Sequence, residues 1–220
     1  LFPASLDTGG KPEGGGTMFA EELFDIAIGR TPPRKEQQHF VSGGDGVPWL
    51  SIRTMGGDSS YIFETDEGLT HDAVHRFRVP VVKMGTILVS FKLTVGRVAI
   101  AGVDMATNEA IAHFNRPDGC PVSNEFTYLS LKEFDFDRLG STSSIATAVN
   151  SKSIRSIQFL VPPNSVLAAF QNVSESLFKQ IRNLTQESRT LAETRDALLP
   201  KLMSGEIRVA QAEELVGDRL

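Results

Sequence analysis

The side chains in this sequence with the right types for chemistry stand at strand ends and in loops. Arg53 and Thr54 follow an apolar run that holds Trp49, Ser90 and Lys92 flank Phe91 at an expected turn, and Thr107, Asn108 and Glu109 form a compact polar cluster. Arg30, Arg34 and Lys35 fall in the stretch GRTPPRK. Arginine and lysine can donate to O6 and N7 of guanine, and asparagine can pair with N6 and N7 of adenine, in the major groove of DNA. Arg53, Lys92 and Asn108, with Thr54 beside them, therefore read as base-contact candidates. Arg34 and Lys35 read as contacts to phosphate, and Arg30 as a further DNA-binding candidate. Each also has a structural reading: Arg53 paired with Asp58, Asn108 closing a turn, Lys92 keeping a sheet edge soluble.

Other chemistries find no support. No Asp or Glu has a lysine two residues later, as metal-dependent nucleases commonly arrange, and phosphate-loop, dinucleotide-turn and nucleophile-elbow motifs are missing. His71 and His75 stand four apart but lack a third ligand nearby, so they read as solvated or half-buried histidines. The single cysteine, Cys120, excludes a disulfide framework and suits a reducing cytosol. No catalytic residue and no metal site is nominated.

The 220 residues are 40% apolar and carry 22 Lys plus Arg against 27 Asp plus Glu, which suits a folded domain with a sizeable core. A net charge of −5 argues against a generically basic nucleic-acid binder and leaves room for a locally basic face. No membrane span or secretory signal is visible, and a cytoplasmic protein is expected. The chain opens on Leu1, with Met18 its first methionine, as expected of a piece of something longer.

The elements that must position these residues are short. Residues 1–17, rich in glycine, read as a flexible linker. Residues 18–162 then carry strand-like runs at 47–52, 86–91, 94–100, 126–131 and 154–161. Thr70 followed by HDAVHRF reads as a capped short helix, and Ser144–Val149 as a weaker one. Strands and helices do not alternate regularly, so the class is α+β. After Pro162-Pro163, residues 163–205 read as one long helix. Phe170, Leu177, Leu184, Leu191 and Leu198 recur every seven residues, with Val173, Ile181 and Leu202 in the neighbouring seam. A rod of about 60 Å with such a stripe needs a partner helix. Pro200 is placed to fray its last turn, Gly205 to cap it, and 206–220 reads as an acidic tail.

Several of these words together resemble a known family. GRTPPRKEQQHF at 29–40, VPWLSIRTM at 47–55, GTILVSFKLTVGRVAI at 85–100 and TNEAIAHF at 107–114 resemble, in order and spacing, a target recognition domain of the specificity subunit of type I restriction-modification systems. The strand ending in VPP, and the helix containing TRDALLPKLMSGEIRV from Thr194 to Val209, are similar to the region that follows such a domain. GGGTMF stands where the family often carries a Gly-Trp pair.

The resemblance implies a sheet-rich recognition domain followed by one coiled-coil-forming helix. It also implies a non-catalytic subunit that reads one half of a bipartite double-stranded DNA target and docks modification subunits. Those bind S-adenosylmethionine and methylate adenine; restriction subunits join through the complex, and this chain binds no cofactor itself. The leucine stripe would pair with the other half of the subunit or with a second copy. A C-terminal half and a natural half-length subunit both fit. The alternative from another class is a protein-binding scaffold domain with an oligomerising helix.

Overall fold

The computed structural model describes residues 15–57, 59–140 and 149–209. Strand β1 (Gly16–Phe19) pairs antiparallel with β12 (Gln158–Val161), Gly16 opposite Val161 and Phe19 opposite Gln158. Gly16 and Thr17, expected in the linker, are thus part of a strand, because β12 offers their backbone a hydrogen-bonding partner. Residues 1–14 and the tail from 210 onward lie outside the described residues, as does most of the helix expected at Ser144–Val149. Helix α1 (Ala20–Leu23) follows β1 and buries Ala20 and Leu23, with the Ala20 amide on Ile157 O at 2.8 Å.

Two five-stranded sheets form the body. One holds β2 (Asp25–Ile28), β5 (Tyr61–Ile62), β8 (Ile87–Ser90), β9 (Val98–Ala101) and β11 (Ile111–Asn115) in the order β2-β11-β8-β9-β5. The other holds β3 (Phe40–Ser42), β4 (Val47–Leu50), β6 (Glu67–Leu69), β7 (Val81–Val82) and β10 (Met105–Thr107) in the order β3-β6-β4-β10-β7. Each sheet has one parallel pair, β5 with β9 and β4 with β10, and is otherwise antiparallel.

Alternation along β8, β9 and β11 explains the layering. Ile87, Val89, Ile100, Ala112 and Phe114 point to one core, shared with Phe24, Phe126, Ile154 and Phe159. Leu88, Ala99, Ala101 and Ile111 point the other way, into a core shared with Leu50 and Met105 of the second sheet. Strands covered on both faces read as unbroken apolar runs, as TILVSF does. A third core of Trp49, Leu69, Ala73, Val79 and Ala106 lies where α2 (His71–Arg76) packs on the second sheet. Thr70 caps α2 as its sequence predicts, accepting from the Ala73 amide at 3.2 Å.

Three expected strands differ. Residues 126–131 lie in helix α3 (Asn124–Lys132): Ser123 Oγ accepts from the Phe126 amide, and Phe126, Thr127 and Leu131 turn inward at helical spacing. A cap and a buried face outweigh the strand propensity of Phe, Thr and Tyr. Ile154 and Arg155 end helix α4 (Ser151–Arg155), capped by Asn150, so the last strand is shorter than expected. Residues 94–97 form a loop, and β9 begins at Val98.

Helix α5 runs from Asn164 to Ser204, with Pro200 inside it and Gly205 at φ +75° beyond its end. The chain divides into two compact units, one ending at Phe178 and the other starting at Lys179. In the first, Leu167 and Phe178 enter the core, and Phe170 and Phe178 meet Phe126 and Tyr128 edge to face, both at 5.7 Å. The unit therefore extends some four turns beyond the Pro162 boundary expected from sequence. Phe170, expected on the pairing stripe, packs inside the domain. In the second unit Ile181, Leu184, Leu191 and Leu199 are exposed. No helix among the described residues is long and apolar enough to cross a membrane.

Candidate nucleic-acid interface

The segment from Gly29 to Lys35 leaves β2 and is held against the turn after β10. The Gly29 amide donates to Ile111 O at 3.1 Å and that of Arg30 to Thr107 O at 2.9 Å. A Cβ on residue 29 would stand 2.0 Å from Thr107 Oγ1 and 2.1 Å from Asn108 O, so only glycine allows the approach. Beyond it, the Thr31 hydroxyl donates to the Glu109 carboxylate, and Trp49 Nε1 donates to Arg30 O at 3.3 Å.

Arg34 then lies over the rings of Phe40 and Trp49, 4.3 and 4.6 Å from their centroids. Its guanidinium donates to both oxygens of Glu67, at 2.6 and 2.9 Å. That bidentate bond holds the arginine above its usual pKa and the Glu67 carboxyl below the ordinary glutamate range. Glu67 opens β6, opposite Trp49 of β4, and the residue before it, Asp66, receives Arg53 at 3.1 Å and the Thr54 hydroxyl at 3.0 Å. Two adjacent carboxylates thus gather Arg34, Arg53 and Thr54 from segments distant in the chain. Asp58, expected to pair with Arg53, lies outside the described residues.

Glu109 follows Asn108 in the chain and feels the charge of Lys92. Burial pushes its carboxyl up, but the Thr31 hydroxyl, its own backbone amide and the charges of Lys92 and Arg34 outweigh this and leave it below its usual value. Lys92 extends over the Phe91 ring, 5.5 Å from its centroid. Asn108 Oδ1 accepts from the Ala110 amide at 3.1 Å, closing the turn that its residue type suggests.

Arg34, Arg53 and Thr54 are therefore held by Glu67 and Asp66, Glu109 feels the charges of Lys92 and Arg34, and Asn108, beside Glu109 in the chain, bonds within its own turn. Arg30 is anchored elsewhere, its guanidinium donating to Phe77 O at the end of α2, and Lys35 is exposed. Thr107 is fully buried and bonded to His113 Nε2 at 2.7 Å, so it supports the turn from below. Sequence reasoning missed Thr31, Asp66 and Glu67. Their pairing spans tens of residues, and nothing local announces it.

Arg34, Arg53 and the hydroxyls of Thr31 and Thr54, held by acids on the two sheets, with Lys92 and Lys35 exposed, form a surface equipped to bind anionic and hydrogen-bonding partners. Among the described residues no group of three or more His, Cys, Asp or Glu is placed to hold a metal ion. The chain belongs to the family described as the type I restriction modification DNA specificity domain, whose model matches residues 12–191.

Among curated proteins it is 28% identical over 200 residues to the type I restriction enzyme HindI specificity subunit of Haemophilus influenzae, covering 89% of this chain and 42% of that one. It is also 28% identical over 127 residues to the MjaIX specificity subunit of Methanocaldococcus jannaschii, covering 57% and 28%. In fold it is similar to the HsdS subunit from Thermoanaerobacter tengcongensis, at TM-score 0.59 and 17% identity over 92% of this chain and 48% of that one. A similar fold occurs in the S subunit from M. genitalium, at TM-score 0.58 and 17% identity over 93% and 49%. A chain from a structure on complex assembly and conformational transition of the type I R-M system aligns at TM-score 0.61 and 17% identity, over 90% and 47%. The chain spans half or less of the length of these relatives.

Proposed function

We propose that this chain is a non-catalytic DNA-sequence recognition module of a type I restriction-modification complex, reading one half of a bipartite target. The observation that carries this is the gathering of Arg34, Arg53 and Thr54 on Glu67 and Asp66, with Lys92 and Arg34 acting on Glu109, in a chain of the specificity-domain family. Exposed ion pairs contribute only about 0–1 kcal/mol each, so a phosphate can replace Glu67 on Arg34 at little cost to the fold. Arg53, Lys92 and Asn108 are the base contacts in this reading; Arg34 and Lys35, with Arg30, contact phosphate.

The exposed leucines of α5 pair with a helix of another half or a second copy. The modification subunits dock on the assembled helices, and S-adenosylmethionine belongs to those subunits. A gel-shift series across salt, with modification subunits present, tests the reading. Affinity falls as salt rises, with a log-log slope of about −0.9 per phosphate contact. A salt-independent or absent response contradicts it and favours a protein-binding scaffold.

A further inference from the structure

The loop between β8 and β9 carries a side chain that its own fold does not use. Leu93 is 95% exposed and has a φ of +62°, the left-handed region that suits glycine and disfavours leucine. The loop does place a glycine where φ is positive, at Gly96, yet keeps leucine at 93. Water disfavours the side chain and the backbone disfavours the residue. Strain of this kind is kept where the surroundings impose it, commonly at functional positions.

The tip is also rigidly held. Ser90 Oγ donates to Thr94 O at 2.5 Å and accepts from the Arg97 amide at 3.0 Å, and the Gly96 amide donates to Ser90 O at 2.9 Å. The two ends are tied to the two turns that bear other candidate contacts. The Phe91 amide donates to Ala110 O at 2.9 Å, beside Asn108 and Glu109, and the Arg97 guanidinium donates to Ile52 O at 2.7 Å, beside Arg53 and Thr54. Lys92 precedes the leucine directly.

We propose that Leu93 is an apolar wedge that enters double-stranded DNA at a base step and unstacks it, next to the contacts of Lys92 and Asn108. This rests on the recognition function proposed above. Rigid leucines, phenylalanines and similar side chains set among cations unstack base steps in this way, and the bend they cause brings more of the duplex against the protein. A single exposed leucine offers far too little apolar area to anchor a protein partner, and its cationic neighbours favour DNA.

The test uses the chain in complex with its modification subunits, and duplexes of the methylated sequence carrying 2-aminopurine at successive positions other than the methylated adenine, which a methyltransferase extrudes whatever Leu93 does. With wild-type protein, fluorescence rises several-fold at one step. Leu93→Ala and Leu93→Gly lose the rise while DNA is still bound, and Leu93→Met keeps it. Leu93→Gly also melts at the same temperature as wild type or higher, opposite to its effect on the DNA. Binding without a rise at any step, or a rise unchanged in Leu93→Ala, overturns the wedge. So does binding that is weakened by thymine-to-uracil exchange without a rise, which assigns Leu93 to a thymine methyl group instead. No binding to any duplex overturns the recognition function, and the wedge with it.

Discussion

Gly29 lies so close to Thr107 that a Cβ at residue 29 would sit 2.0 Å from the threonine hydroxyl oxygen. This contact fixes where the chain leaves β2 and so where Arg30 to Lys35 can reach. Gly29→Ala must push backbone apart, since Asn108 O and Thr107 O stand 2.1 and 2.5 Å from the same point. A loss of about 3 kcal/mol is expected, at the upper end for overpacking. Urea denaturation followed by the fluorescence of Trp49, whose indole bonds to Arg30 O, measures it.

Removing the acids that hold the cations should affect binding more than folding. Glu67→Ala leaves Arg34 without its bidentate partner, and the exposed pair contributes less than about 1 kcal/mol to stability. Affinity for DNA of any sequence should rise several-fold, with a steeper salt dependence. Arg34→Ala should weaken binding to all sequences alike and reduce the salt slope by about 1. Titrations of both variants at several salt concentrations provide the check.

His113 links stability to pH. Burial lowers its pKa from 6.5 to about 4, it is fully buried, and Nδ1 has no hydrogen-bond partner. Because Thr107 Oγ1 donates to Asn108 O at 3.1 Å, it accepts from His113, so the ring proton sits on Nε2 and only an acceptor is left unpaired. The folded state binds the proton less tightly than the unfolded chain, so this contribution is fully present above pH 6.5. It falls as pH drops towards 4, by a total approaching about 3 kcal/mol. Denaturation midpoints between pH 7 and 4 should fall in wild type and fall less in His113→Gln.

The long helix should separate folding from assembly at a particular place. Phe170→Ala removes a ring packed on Phe126 and should cost about 2–3 kcal/mol of domain stability. Leu184→Glu with Leu191→Glu alters exposed positions and should leave the domain's melting unchanged while abolishing helix pairing. Light scattering and thermal melts on the same samples distinguish the two effects. A chain ending at Phe178 should unfold cooperatively, and one ending at Pro162 should be markedly less stable, since it lacks Leu167, Phe170 and Phe178.

The sequence made some of this legible and hid the rest for physical reasons. Ile87–Ser90 reads as a buried strand because both its faces are covered, and Thr70 announces α2 through its hydroxyl. Residues 126–131 misled because phenylalanine, threonine and tyrosine favour strands, although Ser123 stood ready as a cap. The heptad identified the helix but not which of its members pack in the domain: Phe170 packs against the core, and Leu184 is exposed. Arg34 and Lys92 were visible as cations, whereas the pairing of Arg34 with Glu67, 33 residues away, depends on the sheet that brings β6 beside β4. Leu93 attracted no notice in the sequence, since exposure and a positive φ exist only once the hairpin is formed.

Sequencing of methylated sites in cells carrying the whole system, before and after residues 23–160 are exchanged for those of another recognition domain, tests the proposed division of labour most directly. If this domain reads bases and the helix sets distance, the exchange changes one half of the methylated sequence and leaves the spacer length intact. Inserting a helical turn near Leu184 then alters the spacer and not the bases. A methylated sequence that stays the same in both halves after the exchange contradicts recognition by this chain.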